Sequence, residues 1–185
     1  SFVTWTSIGL IGAAAAVAGQ NLGAGRPDRT TAAVHIAARI GVTGAACLGL
    51  LYFFMPGTLL AVFGIKDPEV VAIGTGLLRV LSVSGLFISA ALTYTGGLQG
   101  TGDTKSPLYI SIVSQALLPL GICFVIQRTG TLHPMHIWLA ILAGHVTRFG
   151  LSAIRFAQGK WRGIAVDIGP GFTGETAIVR SSDTP

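Results

Sequence analysis

The sequence predicts an all-α membrane protein, a polytopic bundle of about five transmembrane helices, from three observations. Hydrophobic residues make up 51% of the 185 residues and charged residues only 10%, whereas soluble domains carry roughly 25% charged residues. Long stretches contain no Asp, Glu, Lys or Arg, and each is close to the ~20 residues that a helix needs to cross a bilayer. These stretches are rich in Gly, Ala, Ser and Thr, the small residues that let membrane helices approach closely. The charge-free stretches are 1–25, 40–65, 80–102, 106–127 and 129–147.

Proline residues stand at the edges of several of the five predicted spans. Pro27 and Pro56 fall at span edges, while Pro68 and Pro107 stand near helix starts, where a missing N–H does little harm. In chain order, spans A to E are predicted at 2–22, 30–54, 69–98, 107–127 and 135–157.

Three further segments complete the predicted organisation. The stretch MPGTLLAVFGIKDP after span B is predicted to be a short interfacial segment that turns at Pro56 and ends near Gly64. Pro119 lies inside span D and is expected to kink it unless neighbouring groups satisfy the freed carbonyl. Residues 164–185 lose apolar periodicity and gather Gly, Pro, Ser and Thr, which predicts a disordered cytoplasmic tail behind a membrane bundle of residues 1–163.

The distribution of Lys and Arg predicts the orientation, because basic residues in short loops tend to remain in the cytoplasm. Basic residues favour the A–B loop, the C–D loop and the end of span E, so we expect a multi-pass protein of the plasma membrane with a cytoplasmic C-terminus. The net charge of +5 then faces anionic lipid headgroups, and no nucleic-acid partner is needed. An external Ser1 inside an apolar run also predicts that a preceding segment belongs to the same protein. The basic residues on this side are Arg26, Arg29, Arg39, Lys105, Arg155, Lys160 and Arg162.

Two predicted cytoplasmic loops share one pattern. GQNLGAGRPDRTTAA after span A and GGLQGTGDTKSPLY after span C each carry an amide, then G-x-G, an Asp, a base and a hydroxyl residue. Gly can adopt positive φ where a helix ends, and an Asp, Ser or Thr can accept N–H groups at the next helix start. We therefore predict a helix-to-helix turn at the membrane surface, with Gly23 and Gly25, or Gly100 and Gly102, closing the helix. Asp103, Thr104 or Ser106 would accept the N–H groups, with Pro107 in the first turn.

A phosphate-binding loop is the alternative for GGLQGTGDTKSP. Such a loop needs G-x-x-x-x-G-K-[ST] after a buried strand, with the lysine directly behind the last glycine. Here Lys105 follows Thr104, and a predicted membrane span precedes the segment. The spacing and the context both favour the turn.

The order of these two motifs, about 75 residues apart, resembles the MATE (multidrug and toxic compound extrusion) transporters over roughly residues 1–160. The resemblance implies twelve spans in two six-helix lobes, with spans A to E corresponding to spans eight to twelve. It also implies a missing N-terminal lobe and export of mostly cationic, lipophilic compounds in exchange for Na⁺ or H⁺, the two lobes opening alternately to each side. The residues that match the family motifs are Gln20, Gly23, Gly25, Gly97, Gly100, Gly102, Asp103, Thr104 and Pro107.

The coupling ion is not expected to bind within this sequence. Some members of the family hold the cation on a carboxylate about twelve residues before the position of Gly100, where this chain has Ile88. No Asp or Glu lies in the interior of any predicted span, and a carboxylate in hydrocarbon is costly and usually functional. The resemblance therefore implies coupling through an acid of the N-terminal lobe, without a further cofactor.

Several polar residues inside the spans are candidates for lining a substrate cavity. Arg79 either snorkels outward or faces the cavity, and each of the others is also compatible with helix packing. Cys47 and Cys123 are predicted to be buried small residues. The pair His133 and His136 has only weak metal-ligand spacing. The candidate lining residues are Arg79, Tyr94, Gln99, Gln115 and His145.

Catalysis is not predicted, because the acids that a Ser-His-Asp site would need lie in loops or in the tail. Two alternatives to drug export stay open. A flippase for lipid-linked precursors, from the same superfamily, would be expected to carry more basic residues in its cavity, and Arg79 and Arg148 are compatible with that. The second alternative is a non-transporting membrane scaffold or a truncated remnant. The sequence upstream of Ser1 discriminates between them, since a transporter requires about seven further spans.

Overall fold

The computed structural model describes residues 2–164, with side chains from Gly9 onward. This part of the chain is helical, without a β-strand, which confirms the predicted all-α class. Its helices, in chain order, are α1 (Phe2–Gly23), α2 (Pro27–Phe54), α3 (Pro56–Val62), α4 (Pro68–Gly100), α5 (Lys105–Ile112), α6 (Leu118–Thr129) and α7 (Pro134–Ala157), with a π-helical turn at Val113–Leu117 and a 3-10 helix at Lys160–Gly163.

Four helical segments of the described chain are long and apolar enough to cross a membrane, which confirms a polytopic bundle. They are α2, α4, the continuous segment from Lys105 to Thr129, and α7. Helix α1 has 22 residues and no charged residue, so its crossing, the fifth in number, stays a prediction. The predicted tail from 165 onward lies outside the described residues.

Helix α4 lies at the centre of the bundle and contacts α1, α2 and α7. Its small residues allow this, because a Cβ on Gly96 or Gly100 would run into the backbone of α1 at Ile11 and Ala15. Gly100 therefore serves close helix packing, and the prediction that it helps to close the turn is wrong. The left-handed backbone lies two residues further on, at Gly102, with φ of 89°.

The C-terminal ends of α1, α4 and α7 lie together at one end of the bundle, which we call the Asp103 end. Ala18, Leu98 and Phe156, near the last turns of these helices, share one buried cluster. At the opposite end, α3 follows α2, Gly64 takes a φ of 75°, and the Asp67 carboxylate caps α4 by accepting from Glu69 and Val70. Polar and glycine residues thus form the turns, as their backbone preferences require.

Pro119 follows a widened turn rather than a simple kink. The N–H of Leu118 donates to the carbonyl of Val113, five residues back, which gives the π-helical turn directly before the proline. A π turn carries one extra residue per turn and often occurs at functional positions. Gln115 lies within this turn.

The outer surface of the bundle is apolar. Large side chains such as Phe54 and Phe63 are exposed, at 72% and 78%, as lipid-facing residues of a membrane bundle are. Cys47 belongs to this surface, and the prediction that it is buried is wrong. Apolar composition alone does not separate a side chain that faces lipid from one inside the bundle, because both surroundings are apolar.

Candidate functional site

The turn after α4 closes on buried polar groups. Thr101 is 1% exposed, and its hydroxyl donates to the carbonyl oxygens of Gly97 and Leu98. The backbone N–H of Asp103 donates to Leu98 at 2.9 Å. Gly102 supplies the left-handed backbone between them, so the last carbonyls of α4 find partners inside the turn.

Asp103 connects this turn to two other helices. One carboxylate oxygen accepts the backbone N–H of Ser106 at 3.2 Å, in the first turn of α5. The other accepts the Nε–H of Arg155 from α7 at 2.8 Å. The Asp103 side chain is 5% exposed and that of Arg155 25%, so water screens this ion pair much less than a surface pair. We call Asp103, Ser106 and Arg155 the Asp103 latch.

The charge state of Asp103 follows from these contacts. Burial by itself would raise the pKa of this carboxyl. The hydrogen bonds from Ser106 and Arg155, together with the positive charge of Arg155, outweigh burial and hold the pKa below its ordinary value of 3.8. Asp103 is therefore an anion at neutral pH.

The turn after α1 shares the left-handed glycine but not the latch. Gly25 has φ of 69°, and the N–H of Arg26 donates to the carbonyl of Asn21. Among the described residues no ion pair joins this turn to another helix, and the buried hydroxyl of Thr30 on α2 donates to the carbonyl of Ala18 on α1 at 3.3 Å. The two loops are thus variations on one turn in backbone only.

Trp161 closes the Asp103 end and was missed at the sequence level. Its ring stacks on Phe156 at 5.1 Å, its Nε1–H donates to the Phe156 carbonyl at 2.8 Å, and it is 1% exposed. The ring completes a cluster with Ala18, Val34 and Leu98. In the sequence, Trp161 stands between two basic residues just after α7. The charges of these neighbours predict the side of the membrane but not the burial of the tryptophan.

A cavity of about 500 Å³ lies between α2, α4 and α7, and Tyr94 lines it. Four other predicted cavity residues, Arg79, Gln99, Gln115 and His145, are not among its lining residues. Arg79 is exposed, and its guanidinium carbon lies 5.8 Å from the ring centre of Phe53. Other lining residues include His35, Arg39, Val42, Thr43, Ala90 and Phe149.

A polar seam runs between α7 and the π-helical turn. The side chains of Gln115 and His145 meet at 3.3 Å, and Gly144 packs against the carbonyl of Ser114. Within the described residues, Nε of Arg148 and the hydroxyl of Ser152, both on α7, are buried without a hydrogen-bond partner, as is the hydroxyl of Thr95 on α4. Of these polar residues, the sequence predicted Gln115 and His145 as candidates, and the structure brings their side chains together.

His133 and His136 have a structural use at the start of α7. The backbone N–H of His133 donates to Nδ1 of His136 at 3.3 Å, within a capping box. Within residues 2–164, no group of three His, Cys, Asp or Glu side chains is arranged to hold a metal ion.

Comparison with known proteins identifies the family. The model of the family MatE matches residues 1–125, more than half of the chain. The chain belongs to the MatE family. The MatE match confirms the resemblance that the two loop motifs carry.

Relatives of this MatE chain are named as multidrug resistance proteins. A probable multidrug resistance protein NorM of Thermotoga maritima is 28% identical over 119 residues, covering 64% of this chain and 25% of the relative. A NorM protein of Deinococcus radiodurans is 28% identical over 153 residues, covering 80% and 33%. The multidrug resistance protein MdtK of Pectobacterium atrosepticum is 28% identical over 116 residues, covering 63% and 25%. The chain thus spans a quarter to a third of the length of these relatives.

The motif positions of this MatE chain do different jobs. Gln20 and Gly23 are exposed at the end of α1, and a Cβ on Gly23 would meet nothing, so the predicted turn role belongs to Gly25. Gly97 faces Val34 and Phe156. Thr104 precedes α5 without a side-chain cap, and Pro107 is buried in its first turn.

Proposed function

We propose that this chain forms part of a secondary active antiporter that exports cationic or lipophilic compounds in exchange for Na⁺ or H⁺. The match to the MatE family carries the proposal, and the NorM and MdtK names of its relatives support drug efflux. The proposal assigns transport rather than catalysis. The protein resides in the plasma membrane and works by alternating access with an N-terminal lobe that lies outside this sequence.

The Asp103 latch has a defined part in such a cycle. It joins the end of α4, the start of α5 and the end of α7 through one carboxylate. Helices held in this way move together as a rigid unit, which rocking of one lobe against another requires. The latch therefore serves the transmission of movement, not the binding of the drug.

Cation coupling uses an acid outside this sequence. The acidic residues of the described chain are Asp28, Asp67, Glu69 and Asp103, and all of them lie at or near helix ends. A carboxylate near the middle of the membrane is the group that a coupling cation needs. We place that carboxylate on the N-terminal lobe.

The test uses the full-length protein in bacterial cells that lack their own efflux pumps. We expect ethidium to leave loaded cells faster with the protein than with an empty vector, and to depend on a Na⁺ or H⁺ gradient. Asp103→Ala should slow efflux at equal expression, while Asp28→Asn, at an exposed acid of α2, should not. Equal efflux in protein and vector cells would sink the drug-export proposal, and normal efflux by Asp103→Ala would sink the role of the latch.

A second candidate function, flipping of lipid-linked precursors, has one observation in its favour. Arg148 places a half-buried guanidinium in the membrane part of α7, and its Nε has no hydrogen-bond partner among the described residues. A phosphate of a lipid-linked precursor is a suitable partner for such a group. Reconstituted vesicles that flip a fluorescent polyprenyl phosphate but leave ethidium untouched would favour this candidate, and Arg148→Gln should then abolish flipping.

A further inference from the structure

The cavity between α2, α4 and α7 is basic on one side and apolar on the other. Arg39 and His35 line it from α2, and Val42, Ala90 and Phe149 supply apolar walls. The only ion pair of the described residues joins Asp103 to Arg155, so no carboxylate of this part of the chain neutralises Arg39. The nearest acid on α2, Asp28, lies eleven residues away, or about 16 Å by helical rise.

The depth of the cavity in the membrane follows from the sequence around Arg39. Residues 40–54 of α2 contain no charge and extend about 22 Å, most of the ~30 Å of hydrocarbon. Arg39 therefore lies close to the boundary between hydrocarbon and headgroups, within reach of a snorkelling side chain. Tyr94 lies six residues before the end of α4, toward the same end of the bundle as Arg39. This position agrees with the preference of amphipathic rings for the membrane interface.

This arrangement selects the charge of the ligand. A cationic drug would meet the Arg39 guanidinium without a compensating acid, so the cavity is unsuited to a cationic compound. A phosphate group suits it, because guanidinium forms two charge-assisted hydrogen bonds with phosphate oxygens. Aromatic rings line the cavity next to this arginine. The ring centre of Tyr94 lies 5.9 Å from that of His35 and 6.2 Å from that of Phe149, and these rings provide an apolar path for an acyl chain.

We propose that this cavity binds an anionic phospholipid, with the phosphate at Arg39 and His35 and one acyl chain along Val42 and Phe149. Basic pockets between membrane helices bind anionic headgroups in this way. The lipid would fill the groove between α2 and α7 and hold these helices on either side of α4. The proposal does not depend on the transported substrate and stands apart from the export function.

The experiment measures lipid retention by the full-length protein. Purified protein is delipidated in mild detergent, mixed with phosphatidylglycerol or phosphatidylcholine, and analysed by native mass spectrometry. The variant Arg39→Gln removes the charge at an exposed position, so folding is not at risk. The matched control Arg29→Gln removes an exposed arginine of the same helix that is not among the cavity-lining residues.

We expect Arg39→Gln to lower the affinity for phosphatidylglycerol about tenfold, with phosphatidylcholine unaffected, and Arg29→Gln to behave like the wild type. Thr43→Trp, which fills the cavity from an exposed position, should also lower retention. Equal retention of phosphatidylglycerol by Arg39→Gln and Arg29→Gln would overturn the proposal. Displacement of the lipid by millimolar inorganic phosphate alone would overturn it too, since the acyl chain would then contribute nothing.

Discussion

At the scale of single residues, Asp103 combines three functions of the fold. Its backbone N–H donates to the carbonyl of Leu98 where α4 ends, and its carboxylate accepts from the first turn of α5 and neutralises an arginine of α7. Removing such a group leaves a largely buried guanidinium and an N–H without their partner, which costs more than the hydrogen bonds themselves gain.

We expect Asp103→Asn to lower the free energy of unfolding by about 2 kcal/mol, measured by equilibrium unfolding in mixed detergent and dodecyl sulfate. Arg155→Gln should have a similar effect, and the double variant should lose less than the two single changes together. Asp28→Asn is the control, since Asp28 is exposed in the first turn of α2, and should change stability by at most about 0.5 kcal/mol. Additive effects at Asp103 and Arg155 would contradict the latch.

The same carboxyl gives the protein a defined pH dependence. Because the folded-state pKa of Asp103 lies below 3.8, the unfolded chain binds a proton more readily than the folded chain. The stability of the folded protein therefore rises with pH between the folded-state pKa and the ordinary carboxyl pKa. The contribution of Asp103 is therefore complete above the ordinary carboxyl pKa and is lost as the pH falls through the folded-state pKa. In unfolding series between pH 3 and pH 7, the gap between wild type and Asp103→Asn should stay constant down to about pH 5 and then narrow. A gap that widens on acidification would disprove the assignment.

At the scale of elements, glycine decides how closely α4 approaches its neighbours. Gly96 and Gly100 face the backbone of α1, and Gly97 faces side chains of α2 and α7. In a bundle surrounded by lipid, such close contacts supply the packing that water-driven burial supplies elsewhere.

Gly100→Ala should therefore force α1 and α4 apart, because the added methyl group would overlap the backbone of Ala15. We expect a loss of about 3 kcal/mol, seen as a lower melting temperature and a lower yield of monodisperse protein. Gly44→Ala, in the middle of α2 where a Cβ meets nothing, should leave both unchanged or slightly improved, since alanine favours helix. Equal melting temperatures for the two variants would argue against close packing at Gly100.

At the scale of the whole molecule, the charges of the Asp103 end predict its side of the membrane. Arg155, Lys160 and Arg162 follow one another there, and such clusters remain in the cytoplasm. The opposite end, around Thr131, would then face outward.

Labelling of single cysteines tests this orientation. In a variant of the full-length protein whose other cysteines are all serine, Thr131→Cys should react with a membrane-impermeant maleimide in intact cells. Lys160→Cys should react only after the cells are permeabilised. The permeabilised sample controls for accessibility, and reaction of Lys160→Cys in intact cells would reverse the proposed topology.

The sequence by itself determined the class, the helices and the family. Charge-free stretches of about 20 residues specify membrane helices because hydrocarbon tolerates few charges. The predicted starts of spans B, C and E lie within about three residues of the observed helix starts at Pro27, Pro68 and Pro134. The motif GGLQGTGDTKSP indicated both the turn and the MatE resemblance, since these depend on local backbone preference and residue order.

Only the tertiary structure decided which residues meet. The partner of Asp103 lies 52 residues away, and the sequence shows Arg155 only as one of several basic residues near a helix end. Burial of Trp161, exposure of Cys47 and the basic cavity at Arg39 likewise depend on how the helices are rotated about their axes. Lipid and bundle interior are equally apolar, so in a membrane helix the hydrophobic pattern records the rotation poorly, and the contacts between helices must fix it.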